Sequence, residues 1–144
     1  MRRILGILIA VLLLGYGLIG IGVGAFLLAQ SLEVVNFPEL AEGVADVKVF
    51  IGARASDQLL PFSLNGYFGY ILVMGLMLSA GAAGVIARAR WGYIILSLYL
   101  LMHAVLFVNF QEINPKLIVL ILQVAMVLLL YYLMPPAPDK PHSD

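Results

Sequence analysis

Cysteine is absent from the 144 residues, and charge is scarce: eight lysines and arginines balance eight aspartates and glutamates, 11% of the chain. Without cysteine there is no disulfide, no thiol redox couple, no thiolate-held zinc or iron–sulfur cluster and no lipid-modified cysteine anchor. A quinone-linked thiol oxidoreductase on a small membrane scaffold is excluded on the same ground. The balanced charge offers no basic stripe to nucleic-acid phosphates, so no nucleic-acid partner is expected. The shortage of charge also excludes an ordinary soluble domain, in which about a quarter of residues are charged.

What fills the chain instead is apolar. Hydrophobic residues make up 63% of it, and the mean hydropathy is +1.07. No charge falls between Arg3 and Glu33, Asp57 and Arg88, Arg90 and Glu112, or Lys116 and Asp139. Each gap can hold the roughly 20 apolar residues needed to cross a hydrocarbon core. Runs of this length do not alternate as barrel strands must. The expected fold class is therefore all-α: an integral membrane protein with four transmembrane helices at 4–28, 67–87, 91–110 and 117–134, forming one domain over 1–134. The first run continues to Ala29 without a small residue at the third position before a cleavage point. It reads as an uncleaved span and not as a secretory signal, whose apolar region is about 7–15 residues.

Arg2, Arg3, Arg88, Arg90 and Lys140 would share one side of the membrane, and Lys48, Arg54 and Lys116 the other. The first set lies in short segments next to spans, where basic residues mark the cytoplasmic face. Both termini are expected in the cytoplasm and the segment 29–66 outside, with the protein in the cell membrane, in a bacterium the inner membrane. Arg2, Arg3, Arg88, Arg90 and Trp91 would be topology and lipid-headgroup anchors, joined at the boundaries by Tyr67, Tyr70, Tyr93, Tyr131 and Tyr132. Four prolines between Pro135 and Asp144 predict a disordered tail, with His142 a solvated residue in it.

The outer segment alone has soluble character. Asn36-Phe37-Pro38-Glu39 looks like a helix start, with Asn36 as the cap and proline in the first turn. Leu40, Val44, Val47 and Ile51 then fall on one helix face, with Glu39, Glu42 and Asp46 elsewhere. This is an amphipathic helix for the membrane surface, the bundle top or a partner, although 47–51 would also suit a short strand. Asn109, Gln111, Glu112 and Asn114 read as a solvated turn before Pro115.

Glycine recurs inside the predicted spans. Gly15-Tyr16-Gly17-Leu18-Ile19-Gly20 matches the dinucleotide-binding pattern, but that pattern works only between a strand and a soluble helix. The physical role of the glycines is packing. Gly17, Gly20 and Gly24 share one side of the first span, and Gly75, Ser79 and Ala83 repeat every fourth residue in the second. Small residues at this spacing let backbones approach closely in lipid. The two sets are expected to pack together or against a partner.

His103 is the one ionisable side chain deep in a span. Seven residues from Phe110, it lies about 10 Å from the outer end at 1.5 Å per residue. Gln123, six residues from Leu117, lies at about 9 Å. Antiparallel neighbours bring the two level, so a His103–Gln123 hydrogen bond is expected, with Tyr99 one turn away as a second partner. The functional alternatives for His103 are a site shared with a partner, a proton relay, a quinone contact, or a haem or metal ligand with Met74, Met77 or Met102.

No nucleophile, paired acids or metal cluster accompanies these residues. The expected function is a non-catalytic accessory subunit or assembly factor of a larger membrane complex. Its partners would be the bilayer and other membrane subunits or further copies of itself, with no catalytic residue, metal or cofactor. The alternative is a small oligomeric transporter or channel, for which one histidine and one glutamine make a thin polar path.

Overall fold

A computed structural model of the chain describes residues 1–111, 113 and 115–138. Five helices form among them: α1 (Arg2–Ser31), α2 (Pro38–Ala53), α3 (Leu64–Ile86), α4 (Arg90–Phe110) and α5 (Lys116–Leu133). All but α2 are long and apolar enough to cross a membrane. The helices overrun the predicted spans at most ends. At 30 residues, α1 would extend about 45 Å.

The four long helices form an up-and-down bundle in which α1 packs on α3, α3 on α4, α4 on α5, and α5 returns to α1. Two ends can be told apart. At the terminal end, Arg2 Nη2 donates to Tyr132 Oη (2.8 Å) and Ala137 N to the Arg88 carbonyl (3.2 Å). At the opposite end, α2 caps the bundle and Ser31 Oγ donates to Asn65 Oδ1 (2.7 Å), tying the close of α1 to the start of α3.

Close backbone contact holds α3 between its two neighbours. A Cβ added to Gly75 would lie 2.6 Å from the Ile21 nitrogen, and one on Gly17 would lie 2.5 Å from Ser79 Oγ. Toward α4, a Cβ on Gly92 would meet the Gly84 carbonyl carbon at 2.6 Å. None of the glycines has a positive φ. The left-handed turn positions are instead Glu33, Arg88 and Gln111, at φ 59°, 57° and 49°. Arg88 and Ala89 donate back to Val85 and Gly84 (both 2.9 Å), the paired pattern that closes a helix after a left-handed residue. Gly17, Gly75 and Gly92 therefore serve packing, and left-handed turns are made at some conformational expense by residues that favour them less.

The segment between α1 and α3 is helical throughout 47–51, so no strand forms there. Its half-buried face carries Leu40, Val44, Val47 and Ile51, and none of its residues is fully buried. Asn36 does not cap it. The capping position is Phe37, with Pro38 first in the helix, and the Phe37 N–H is taken by Gln30 Oε1 (2.9 Å) from the end of α1. Phe50 of α2 meets Phe110 (centroids 5.2 Å) and Tyr67 (6.4 Å), and Phe62 lies against Tyr70 (5.4 Å), so a cluster of rings closes this end.

The segment 57–62 is pinned by α4. Asn109 is 3% exposed. Its backbone carbonyl accepts from Leu59 N (3.1 Å) and its Oδ1 from Leu60 N (2.7 Å), while Gln111 Nε2 donates to the Asp57 carbonyl (2.7 Å). Asn109 is thus a structural clamp and not part of a solvated turn, because the Leu59 and Leu60 amides lie outside any helix and need acceptors. Glu112, Asn114 and residues 139–144, including His142, lie outside the described residues. Residues 135–138 are not helical, and Met134 just before them is buried.

Two glycine substitutions should act in opposite directions in a reversible detergent-unfolding assay. Gly75→Ala, which drives a methyl into the α1 backbone, should destabilise by about 1–3 kcal/mol, the usual result of overpacking. Glu33→Gly, which relieves a left-handed residue, should be neutral or stabilising by up to about 1 kcal/mol. A Gly75→Ala protein as stable as the parent would remove the close-contact account.

Candidate functional site

The site grows from three polar side chains on α4 and α5. Tyr99 and His103 stand one turn apart on α4 and therefore project on the same side. A short connection makes α5 antiparallel to α4 and brings Gln123 level with both. Tyr99 Oη donates to Gln123 Oε1 (3.0 Å), and His103 Nδ1 lies 2.9 Å from the same oxygen. Tyr99 and Gln123 are 3% and 4% exposed, and His103 is half-buried. One carboxamide oxygen thus receives two hydrogen bonds, as many as its lone pairs accommodate. With that oxygen as acceptor, the imidazole proton sits on Nδ1, and Nε2 carries the lone pair. The ring is held by Phe107 on one side (centroids 5.6 Å) and Tyr99 on the other (5.9 Å).

Beside this triad lies a cavity of ≈ 300 Å³. α1 lines it with the stretch from Tyr16 to Val23, α3 with Tyr67 to Leu78, α4 with Tyr99, His103 and Leu106, and α5 with Lys116 alone. The reason for the gap is visible in the packing. α1 and α5 meet at the terminal end, where a Cβ on Gly6 would lie 2.5 Å from Met134 Cγ, but the cavity separates them farther along. Tyr16, Ile19 and Val23 line it and are 51%, 66% and 46% exposed, so it opens through the side of the bundle. A smaller pocket of ≈ 70 Å³ shares Tyr67, His103, Leu106 and Lys116 with it and ends against Phe50 and Phe110. His103 therefore stands where the side cavity meets the aromatic cap.

The other residues singled out in the sequence fall into separate places. Gly17 and Gly24 are buried, Gly20 is half-buried, and all three face α3: Gly17 meets Ser79 and Gly75, Gly20 meets Gly75, and Gly24 meets Leu72. Gly75 and Ser79 are in this contact, but Ala83 is exposed and Ala82 is buried in its place. Steps of four residues advance about 40° around a helix at 3.6 residues per turn, so two steps carry Ala83 off the face that Gly75 occupies. Gly81 and Gly84, one side over, pack instead on Leu96, Trp91 and Gly92 of α4. Trp91 is 49% exposed, with one ring edge against Gly84. Arg2 reaches Tyr132, with its guanidinium 5.1 Å from the ring centre, and Arg3 and Arg88 line one small pocket at the terminal end. Arg90 begins α4 at that same end.

Tyr93 lies in the first turn of α4 and is buried. Its hydroxyl donates to the Met134 carbonyl (2.6 Å), with the Leu130 carbonyl 3.1 Å from the same oxygen, and so closes the end of α5. Tyr70 likewise donates to the Met102 carbonyl (2.7 Å). These tyrosines, with Asn109 and Gly92, are the contributors that sequence reasoning missed; only the polarity of Asn109 inside the last turn of a span hinted at its role. Among the described residues no group of three histidines, aspartates or glutamates could hold a metal ion. Met74 shares the cavity wall with His103.

Neither a family model, a curated protein nor a solved structure matches this chain.

Removing the shared acceptor should cost more than removing either donor. Gln123→Leu leaves both the Tyr99 hydroxyl and the His103 Nδ1–H unpaired, at about 1–3 kcal/mol for each buried group. Tyr99→Phe deletes one bond and leaves the other, and should cost about 1 kcal/mol. Unfolding in detergent would show the order, and a His103→Leu, Gln123→Leu double-mutant cycle should be non-additive; strict additivity would mean that the bond carries no energy.

Proposed function

We propose that α1, α3, α4 and α5 cross a lipid bilayer and that the protein serves as a non-catalytic accessory subunit of a larger membrane assembly. The observation that carries this reading is how little of each long helix the chain covers itself. Only 22–39% of the most apolar window of each is buried. The remainder is apolar and outward-facing, as an ordinary water-exposed surface is not. On α1 this surface includes Leu8, Leu12, Ile19 and Phe26, each 56–66% exposed, spaced by four, seven and seven residues. Between them stand Gly15 and Gly22, where an added Cβ would meet nothing within 4 Å. Such an indented face suits a neighbouring helix.

The clustering of Arg2, Arg3, Arg88 and Arg90 at the terminal end supports a cytoplasmic position for that end, by the positive-inside rule. α2 and its aromatic cap would then face the outside, in a bacterium the periplasm. The small-transporter reading has one feature in its favour, the side cavity that reaches His103. Against it, the buried polar side chains among the described residues are Ser79, Asn109 and Gln123, which form no continuous polar path from end to end.

The lack of native cysteine makes the topology directly measurable. Cysteines at Ser56 and Ala137, introduced one at a time, should react with a membrane-impermeant maleimide from opposite sides of right-side-out vesicles; same-side labelling would break the four-span arrangement. For the assembly, gentle extraction followed by mass spectrometry should recover a fixed set of other membrane subunits. Gly22→Leu should release them while leaving thermal stability within about 0.5 kcal/mol, as expected of a surface change. Recovery of the chain as a self-assembly alone would shift the reading to transport.

A further inference from the structure

We propose that the cavity between α1, α3 and α4 is a binding site for a phenolic lipid, a molecule with a hydroxyl-bearing aromatic ring and an apolar tail. The inference rests on the four-span reading and is independent of the accessory role. Three observations converge on it. The first is size: at ≈ 300 Å³ the cavity has about twice the volume of a ~150 Å³ cavity that accommodates benzene, which leaves room for a ring and the start of a chain. The second is access. The half-exposed Tyr16 and Val23 of α1 stand at the side opening, which in a bilayer faces the acyl chains, while Phe50, Tyr67 and Phe110 close the α2 end.

The third observation is polarity, and it selects the headgroup. His103 lines the cavity, and its Nδ1 is engaged by Gln123. Nε2 has no hydrogen-bond partner among the described residues, and it is not one of the fully enclosed unpaired atoms, which are Ser79 Oγ and Asn109 Nδ2. Because Gln123 Oε1 accepts from both Tyr99 and His103, Nε2 is left as an acceptor. His103 Nε2, which shares the cavity wall with the polar residues Tyr16, Tyr67 and Lys116, therefore receives a hydrogen bond and does not give one. A ligand hydroxyl satisfies it, whereas a carbonyl or ether oxygen does not. The tyrosine and histidine rings on the wall favour an aromatic carrier for that hydroxyl. Gln123 is a positioning residue here, acting through the tautomer it imposes on His103.

The test uses the full chain in phosphatidylcholine vesicles, with [15N]histidine and a His142→Gln change so that a single imidazole is observed. The probe is 4-nonylphenol, and the control is 4-nonylanisole, which differs only in having its hydroxyl methylated. Before addition the spectrum should show the neutral Nδ1–H tautomer. The phenol should shift the Nε2 resonance in a saturable way and leave Nδ1 in place. It should bind roughly tenfold more tightly than the anisole, the worth of one hydrogen bond. In Gln123→Leu that preference should vanish as the tautomer is freed. In Val23→Trp, which fills the side opening without touching the α1–α3 contact, phenol binding itself should be lost. An Nε2–H tautomer in the parent protein, equal binding of phenol and anisole, or an Nε2 resonance that does not respond would each overturn the proposal. Failure of the four-span reading would appear separately, in the maleimide labelling of Ser56 and Ala137 cysteines.

Discussion

Everything else in this bundle depends on backbone-to-backbone contact along α3. On one side Gly75 abuts the α1 backbone at Gly20 and Ile21, and on the other Gly84 abuts Gly92 of α4. Two dissimilar neighbours are thus held at short range by one helix, through surfaces on which a single methyl group has no room. In lipid, where tails are as apolar as side chains, burial alone does not draw helices together; close van der Waals contact between smooth faces does. The three-helix slab of α1, α3 and α4 is held by such close contact, and α5 is added to it through different chemistry.

That difference is where the site originates. α5 carries no glycine and is attached by hydrogen bonds and large side chains: Gln123 to Tyr99 and His103, the Leu130 and Met134 carbonyls to Tyr93, and Tyr132 to Arg2. Large side chains keep helices farther apart than glycine does. The bundle is accordingly tight between α1 and α3, whereas α5 reaches the cavity with Lys116 alone, and His103 stands on the wall of that cavity. The cavity is a consequence of mixed packing and not a separate construction.

The same economy governs the chain's glycines and turns. Gly17, Gly24, Gly75, Gly84 and Gly92 sit at helix contacts without a positive φ, while Glu33, Arg88 and Gln111 take the left-handed positions among the described residues. Close approach has no substitute among L residues with a Cβ, whereas a left-handed turn residue costs about 1–2 kcal/mol and can be tolerated. At the α2 end, Gln30, Gln58 and Asn109 hold the outer segment by accepting from backbone amides of Phe37, Phe62 and Leu60. A polar side chain near a helix end therefore serves the neighbouring segment as readily as water.

The four apolar helices, the half-buried face of α2 and the meeting of His103 with Gln123 were legible in the chain alone, because each follows from one-dimensional quantities: charge-free length, a 3.6-residue period, and a count of residues from a helix end. The sequence also indicated that Gly17, Gly20, Gly24, Gly75 and Ser79 form a packing surface, since small residues at four-residue spacing mark a helix face. Only the tertiary structure decided which helix each face meets. It turned Ala83 outward, buried Ala82, set Tyr93 against the end of α5, and made a clamp of Asn109. It also left the space beside His103 unfilled. A face can be read from spacing along one helix, but a cavity depends on the distance between helices, which is set by the largest side chain on both sides of every contact at once.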